Sequence, residues 1–211
     1  MPTDDGDLPR RRRAATVERL LDAALETFAE IGFSAASVED ICSRGGFTRG
    51  AFYSSFRTKD ELFAALFARE TAANIARAEE QLTGIEDEAD PIGAAVERCL
   101  STFRADRTWV LVLTEYRLLA ARSPAAAALL REHTAALHHR LTALIDDGVA
   151  RIGMRLAVPS ESLARMVLAL HDGLAIASMP DADRPDPDRT GAAADVERAA
   201  LLLLLRAATT A

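Results

Sequence analysis

The chain has 211 residues, of which 49% are apolar and 27% charged, with a net charge of −7. That suits a soluble chain of one large domain or two small ones. It excludes a membrane span, since no apolar run reaches the ~20 residues required, and the N-terminus has no apolar signal core, so a cytoplasmic location is expected.

Residues 1–13 combine Pro, Asp and Gly with the run Arg10, Arg11, Arg12 and Arg13, and read as a disordered basic arm. From there the apolar period is helical almost throughout, with no convincing strand pattern. The first helix starts near Ala14 or Thr16, carries Val17, Leu20, Leu21, Ala24, Leu25, Phe28 and Ile31 on one face, and stops at Gly32. Ser37 is a good N-cap for a second helix, with Asp40 placed for a capping box and Val38, Ile41 and Cys42 inward. Gly45 and Gly46 end that helix. Thr48 caps a short third one, with Ala51, Phe52 and Phe56 facing the interior. Thr58 opens a fourth helix containing Leu62, Phe63, Leu66 and Phe67. Further helices are expected over about 92–104, 108–122, 124–152, 159–179 and 192–208, with an exposed loop over 180–191 that holds three prolines and four aspartates. Cys42 and Cys99 form no CxxC pair and are read as buried thiols.

The fold class expected is therefore all-α with about nine helices: a helix-turn-helix domain over 14–60 and a helical bundle over 61–211. In a helix-turn-helix the third helix enters the major groove. Its outward positions here, Thr48, Arg49, Gly50, Tyr53 and Ser54, are small or hydrogen-bonding. Gly50 costs about 1 kcal/mol of helix propensity but lets the backbone approach DNA. Net acidity does not oppose this reading. Residues 10–60 hold nine arginine and lysine side chains against seven carboxylates, and Lys59 is the chain's only lysine.

The stretch from Arg13 to Leu66 resembles the N-terminal domain of the tetracycline-repressor (TetR) family. The resemblance rests on Ala23-Ala24-Leu25 with Phe28, Gly32-Phe33, Ser37-Val38-Glu39-Asp40-Ile41, Gly45-Gly46-Phe47-Thr48, Phe52-Tyr53-Ser54-Ser55-Phe56 and Lys59-Asp60-Glu61-Leu62. It implies base reading by Thr48, Arg49, Gly50 and Ala51, with Ser54 and Ser55 as weaker candidates. It implies phosphate contacts from Tyr53, Lys59 and the start of the second helix at Ser37. Arg44 and Arg10 to Arg13 are further candidates for DNA. Physically, an arginine such as Arg49 can bind a guanine edge bidentately, helix N-termini favour phosphate, and the arm adds salt-sensitive attraction.

The resemblance also implies a nucleoid-associated homodimer whose C-terminal helices sense a small molecule. Leu163, Met166, Val167, Leu170 and Leu174 with Val196, Leu201, Leu204 and Leu205 are expected to form the interface of the last two long helices. An internal core is the alternative for those rows. Trp109, Glu115, Tyr116, His133 and His171 are candidates to line a pocket, against the plainer reading as solvent-facing or hydrogen-bonded residues. The spacing of His133, His138 and His139 does not put three ligands on one helical face, so no metal is expected. No cofactor is implied, and no catalytic constellation or glycine-rich phosphate loop appears, so an enzyme is not expected. The function expected is a repressor released from a palindromic operator by a small-molecule effector. The alternative is a ligand-independent DNA-binding or architectural protein of the same fold.

Overall fold

Gly32 adopts φ +85°, and this left-handed residue ends the first helix, α1 (Asp7–Ile31). The computed structural model describes residues 7–102, 107–179 and 187–210. After α1 come α2 (Val38–Gly45), α3 (Arg49–Tyr53), α4 (Lys59–Gln81), a 3-10 turn (Ile85–Asp87), α5 (Pro91–Thr102) and α6 (Arg107–Ala120). Three long helices complete the chain: α7 (Pro124–Arg151), α8 (Ser160–Ser178) and α9 (Pro187–Ala208).

The caps of α2 and α3 are local chemistry. Ser37 and Asp40 form a full capping box: the Asp40 amide donates to Ser37 Oγ at 3.1 Å, and the Ser37 amide donates to Asp40 Oδ2 at 2.9 Å. Thr48 Oγ1 accepts from the Ala51 amide at 3.2 Å. Two expected boundaries move. Helix α1 begins at Asp7, so residues 7–13 are helical where a disordered arm was expected; residues 1–6 lie outside the described residues. Helix α9 begins at Pro187, five residues earlier than its composition suggested, and the expected loop residues 180–186 lie outside the description. A two-residue antiparallel pairing of β1 (Arg155–Leu156) with β2 (Thr209–Thr210) was not foreseen. It gives backbone partners to the end of α9, where the Ala157 amide also donates to Ala208 O at 2.8 Å.

The chain forms two compact units. One holds residues through Arg69 together with Leu111–Leu130; the other holds Glu70–Val110 and Arg131 onward. The expected boundary at residue 60 therefore misplaces most of α6. In the first unit Leu20, Ala24, Phe28, Ile41, Phe52, Leu62, Phe63 and Leu66 are fully buried. Each such leucine or phenylalanine stabilises the unit by about 1.5–3 kcal/mol. Tyr116 of α6 is also fully buried here, stacked on Phe63 at 3.7 Å between centroids and edge-on to Phe33 at 4.9 Å. In the second unit Ile75 and Ala78 of α4, Leu141 and Leu144 of α7 and Ala164 of α8 form the core, with Val167 and Leu168 packed against it.

Candidate nucleic-acid interface

Helix α3 is five residues long and is anchored by one fully buried side chain, Phe52. Everything on its other side points outward. Thr48, Arg49, Gly50 and Ser54 are exposed, Tyr53 is 50% exposed, and Ala51 is half-buried. The Arg49 guanidinium lies over the Tyr53 ring at 5.9 Å, and the hydrogen bond it donates to the Tyr53 hydroxyl raises its already high pKa, so it carries a full positive charge. A Cβ built on Gly50 would meet only Thr48 Oγ1 at an ordinary 3.7 Å. Nothing inside the subunit requires glycine there, so the bare backbone is available to an outside partner.

Other expected contact residues are engaged within the subunit. Lys59 was expected to hold phosphate with its side chain. Its ammonium instead turns inward, donating to Ala36 O at 2.7 Å and to Phe33 O, and lying 4.5 Å from the centre of the Phe33 ring. Burial lowers its pKa. Arg44 was another candidate. It pairs with Glu26 and Glu30 of α1, and its Nε donates to the buried Thr27 hydroxyl at 3.1 Å, so it holds α2 to α1. The Ser37 amide and hydroxyl both donate to Asp40, whose pKa the Ser37 bonds lower; neither group is left for phosphate. Ser55 Oγ is buried without a hydrogen-bond partner among the described residues and does not reach the surface. Ser54 is exposed, but its hydroxyl donates to Ala51 O at 2.7 Å, and its carbonyl accepts from Arg13 Nη2 at 3.2 Å. The side chains of Arg10, Arg11 and Arg12 lie outside the described residues.

The pocket candidates separate. Glu115 caps the turn after α1, accepting from the Phe33 amide at 2.8 Å and the Ser34 amide at 3.3 Å. A Cβ on Gly32 would come within 2.9 Å of its Oε1, so glycine there serves both the left-handed backbone and this carboxylate. The Tyr116 hydroxyl donates to Asp60 Oδ1 at 3.0 Å, and burial pushes its pKa up strongly. Both complete the core and turns of the N-terminal unit. Trp109, His133 and His171 lie in the other unit, half-buried, and His171 Nδ1 is 2.9 Å from Glu197 Oε1. None of the five lines the open groove of about 680 Å³ between α4 and α7, which Glu79, His139, Arg140, Leu144, Asp147 and Arg151 border. Among the described residues no group of three or more His, Cys, Asp or Glu could hold a metal ion, and no helix is long and apolar enough to cross a membrane.

The expected interface row also divides. Leu163 is fully buried, Leu201 is 8% exposed and Val167 packs on the subunit core, so these three stabilise the single chain. Leu170, Leu174, Leu204 and Leu205 are half-buried. Among the described residues the exposed large apolar side chains of α8 and α9 are Met166, Ile176, Val196 and Leu203, the last 73% exposed. Ile176 and Leu203 were missed. Periodicity marks apolar rows but cannot say which row meets its own chain.

Comparison with known proteins agrees with this architecture. The profile described as "Bacterial regulatory proteins, tetR family" matches residues 20–66, and that described as "BetI-type transcriptional repressor, C-terminal" matches residues 88–203. The transcriptional regulator UidR of Escherichia coli K12 is 36% identical over 70 residues, 33% of this chain and 36% of its own. SrpR of Pseudomonas putida is 43% identical over 53 residues, a quarter of each chain. The chain thus aligns with between a quarter and about a third of the length of these curated relatives. Salmonella enterica GusR superposes with a TM-score of 0.70 at 26% identity, over 91% of this chain and 96% of that one. Bacillus subtilis FadR, solved in complex with stearoyl-CoA, shares the fold at a TM-score of 0.67 and 18% identity, over 89% of this chain and 96% of that one. With a C-terminal profile that spans more than half its length and a helix-turn-helix that fits the N-terminal one, this chain belongs to the TetR family of transcriptional regulators.

Proposed function

We propose that the protein is a homodimeric, cytoplasmic repressor that reads a palindromic operator with α3 and leaves it when a small molecule binds the C-terminal helices. The observation that carries the DNA reading is the outward face of α3. It offers a charged arginine at the helix N-terminus, two hydroxyl side chains, a tyrosine, and a glycine that the subunit does not need. Arg49 reads a base edge, most favourably guanine O6 and N7. Tyr53 and the amides at the N-termini of α2, α3 and α4 contact phosphate. Arg10, Arg11 and Arg12 add salt-dependent attraction without sequence preference.

A palindrome requires two copies, with recognition helices one DNA turn, about 34–36 Å, apart. The exposed Met166, Ile176, Val196 and Leu203 supply the apolar surface through which two copies associate. Effector binding in the C-terminal helices, with Trp109, His133 and His171 as the remaining candidates to touch it, shifts the dimer toward a spacing that does not fit DNA. The family membership and the acyl-CoA bound by a protein of the same fold support a ligand-responsive reading over an architectural one.

The test is a selection from random duplex DNA followed by a release screen. Enrichment of an inverted repeat, and its release by a small organic compound, is the expected result. Tight binding that no compound in a broad metabolite panel weakens would favour the ligand-independent alternative. A failure to enrich any sequence would reject base reading altogether.

A further inference from the structure

The connection between α2 and α3 is Gly46-Phe47-Thr48, and α2 ends on a second glycine, Gly45. Glycine gives a chain its widest conformational freedom, so such a turn does not hold a following helix by itself. Gly46 is left-handed at φ +69°; its amide donates to Cys42 O and to Ser43 O, the latter at 3.3 Å, the Phe47 amide donates to Cys42 O at 2.8 Å, and the Cys42 thiol to Thr48 O at 3.7 Å. Helix α3 beyond it is too short to hold itself, with Phe52 as its one fully buried anchor.

Arg19 of α1 closes this gap. Its Nη2 donates to Gly45 O at 3.1 Å, placing a positive charge on a carbonyl at the negative end of α2. Its guanidinium carbon lies 4.8 Å from the centre of the Phe47 ring, within cation–π range. Gly45 makes this possible: a Cβ there would stand 2.9 Å from Phe47 Cδ2 and 3.2 Å from the Ala23 Cβ. The missing side chain leaves room for the ring, and the ring is the surface on which the arginine rests. The three residues are one unit, distributed over α1, the end of α2 and the turn.

We propose that Arg19 is a positioning residue for sequence-specific DNA binding: through Gly45 and Phe47 it fixes the turn that aims α3, without itself touching DNA. This rests on the reading of α3 as the base-reading helix. A guanidinium fork is needed, because one part donates to the carbonyl while the plane lies on the ring; an ammonium does not do both.

The experiment uses the full-length protein, the duplex that the wild type enriches from a random library, and a shuffled duplex of equal length. Arg19→Gln and Arg19→Lys are both made, and equal helicity by circular dichroism sets the concentration of folded protein. Both variants are expected to lose about three- to tenfold in affinity for the enriched duplex, with less than about twofold change on the shuffled one and an unchanged salt slope. Amide exchange at Phe47 speeds up in the free protein. Phe47→Leu combined with Arg19→Gln is no worse than the poorer single variant, since both break one unit. Retention of affinity in Arg19→Lys, with loss on both duplexes and a salt slope lower by about 0.9 per subunit in Arg19→Gln, would make Arg19 a phosphate contact and overturn the proposal. Unchanged affinity in both variants would overturn it as well. A wild type that enriches no duplex removes the base-reading role of α3 before any variant is made, and this inference with it.

Discussion

The two compact units of the chain use their polar side chains differently. In the N-terminal unit they reach for backbone. Lys59 donates to two turn carbonyls, Glu115 accepts from two turn amides, Arg19 donates to Gly45 O and Arg13 to Ser54 O. In the C-terminal unit Arg98 likewise donates to two turn carbonyls, Gln81 O and Thr83 O, but α8 and α9 are held by side-chain pairs. Arg206 of α9 pairs with Asp90 at 2.5 Å, Arg198 of α9 pairs with Glu97 of α5, and His171 of α8 meets Glu197 of α9. Side-chain pairs occur in the first unit too, Arg69 with Asp22 at 2.8 Å and Arg44 with Glu26 and Glu30, and there Arg44 fastens α2 to α1 beside the anchored turns. The difference follows from helix length. Helices of five and eight residues cannot hold their own geometry, so their turns must be fastened. Helices of 19 to 28 residues hold theirs, and exposed ion pairs between them add little to stability. On the proposed function the contrast has a use, since a base reader needs fixed angles and a ligand-responsive bundle needs rows that can shift.

The largest test of that contrast is Tyr116→Ala. Although the residue lies in α6, it is packed as core of the N-terminal unit. Its loss is expected to cost about 3–5 kcal/mol of stability, as for other buried aromatics, visible in denaturant unfolding. An equally stable variant that only loses its response to an effector would return Tyr116 to the ligand site. Next come two leucines of the C-terminal unit. Leu163→Ala leaves a cavity in the subunit, with an expected cost of about 2–5 kcal/mol and dimers retained. Leu203→Arg sits on the exposed face of α9, and is expected to leave a folded, helical chain that sediments as a monomer. Reversed outcomes, with Leu203→Arg dimeric and Leu163→Ala monomeric, would exchange core and interface.

The smallest effect concerns the cap of α2. The Asp40 carboxyl is held below its ordinary value of 3.8 by the Ser37 bonds. A folded pKa below the unfolded one means that the cap contributes above about pH 3.8, and that this contribution fades as pH falls through the lower, folded value. Carbon-13 titration of Asp40 should give a midpoint under 3.8 in the folded protein and a higher one in a Ser37→Ala variant, which keeps only the backbone bond. Equal midpoints in the two would mean that the capping box does not form in solution.

How much of this was legible in the sequence depends on the distance between partners. Gly32, Ser37 with Asp40, and Thr48 act on residues within a few positions, and each cap appears where the residue types place it. The phenylalanines of the first unit follow from their period. Glu115 and Tyr116 could not be read, because their partners lie 81 or 82 residues away at Ser34 and Phe33, and 56 residues away at Asp60. A carboxylate and a tyrosine in an apolar helix look the same whether they face a ligand or a turn. The partners of Lys59 and Arg44 were equally hidden: a basic residue beside a helix-turn-helix suggests phosphate until its acceptors within the subunit are seen. In α8 and α9 apolar side chains crowd the sequence, so periodicity could pick Leu163 and leave out Leu203 without telling the buried row from the exposed one.

The central claim, that α3 reads bases and does so from two subunits, is tested most directly by a base-by-base affinity scan of the enriched duplex with wild type and Arg49→Ala. The account predicts an inverted repeat with half-site centres about 10 base pairs apart. Arg49→Ala should bind it about 1–3 kcal/mol more weakly per subunit contact and lose its preference at one symmetry-related pair of positions, keeping it elsewhere. An unchanged discrimination profile in Arg49→Ala, on a site without two-fold symmetry, would contradict it.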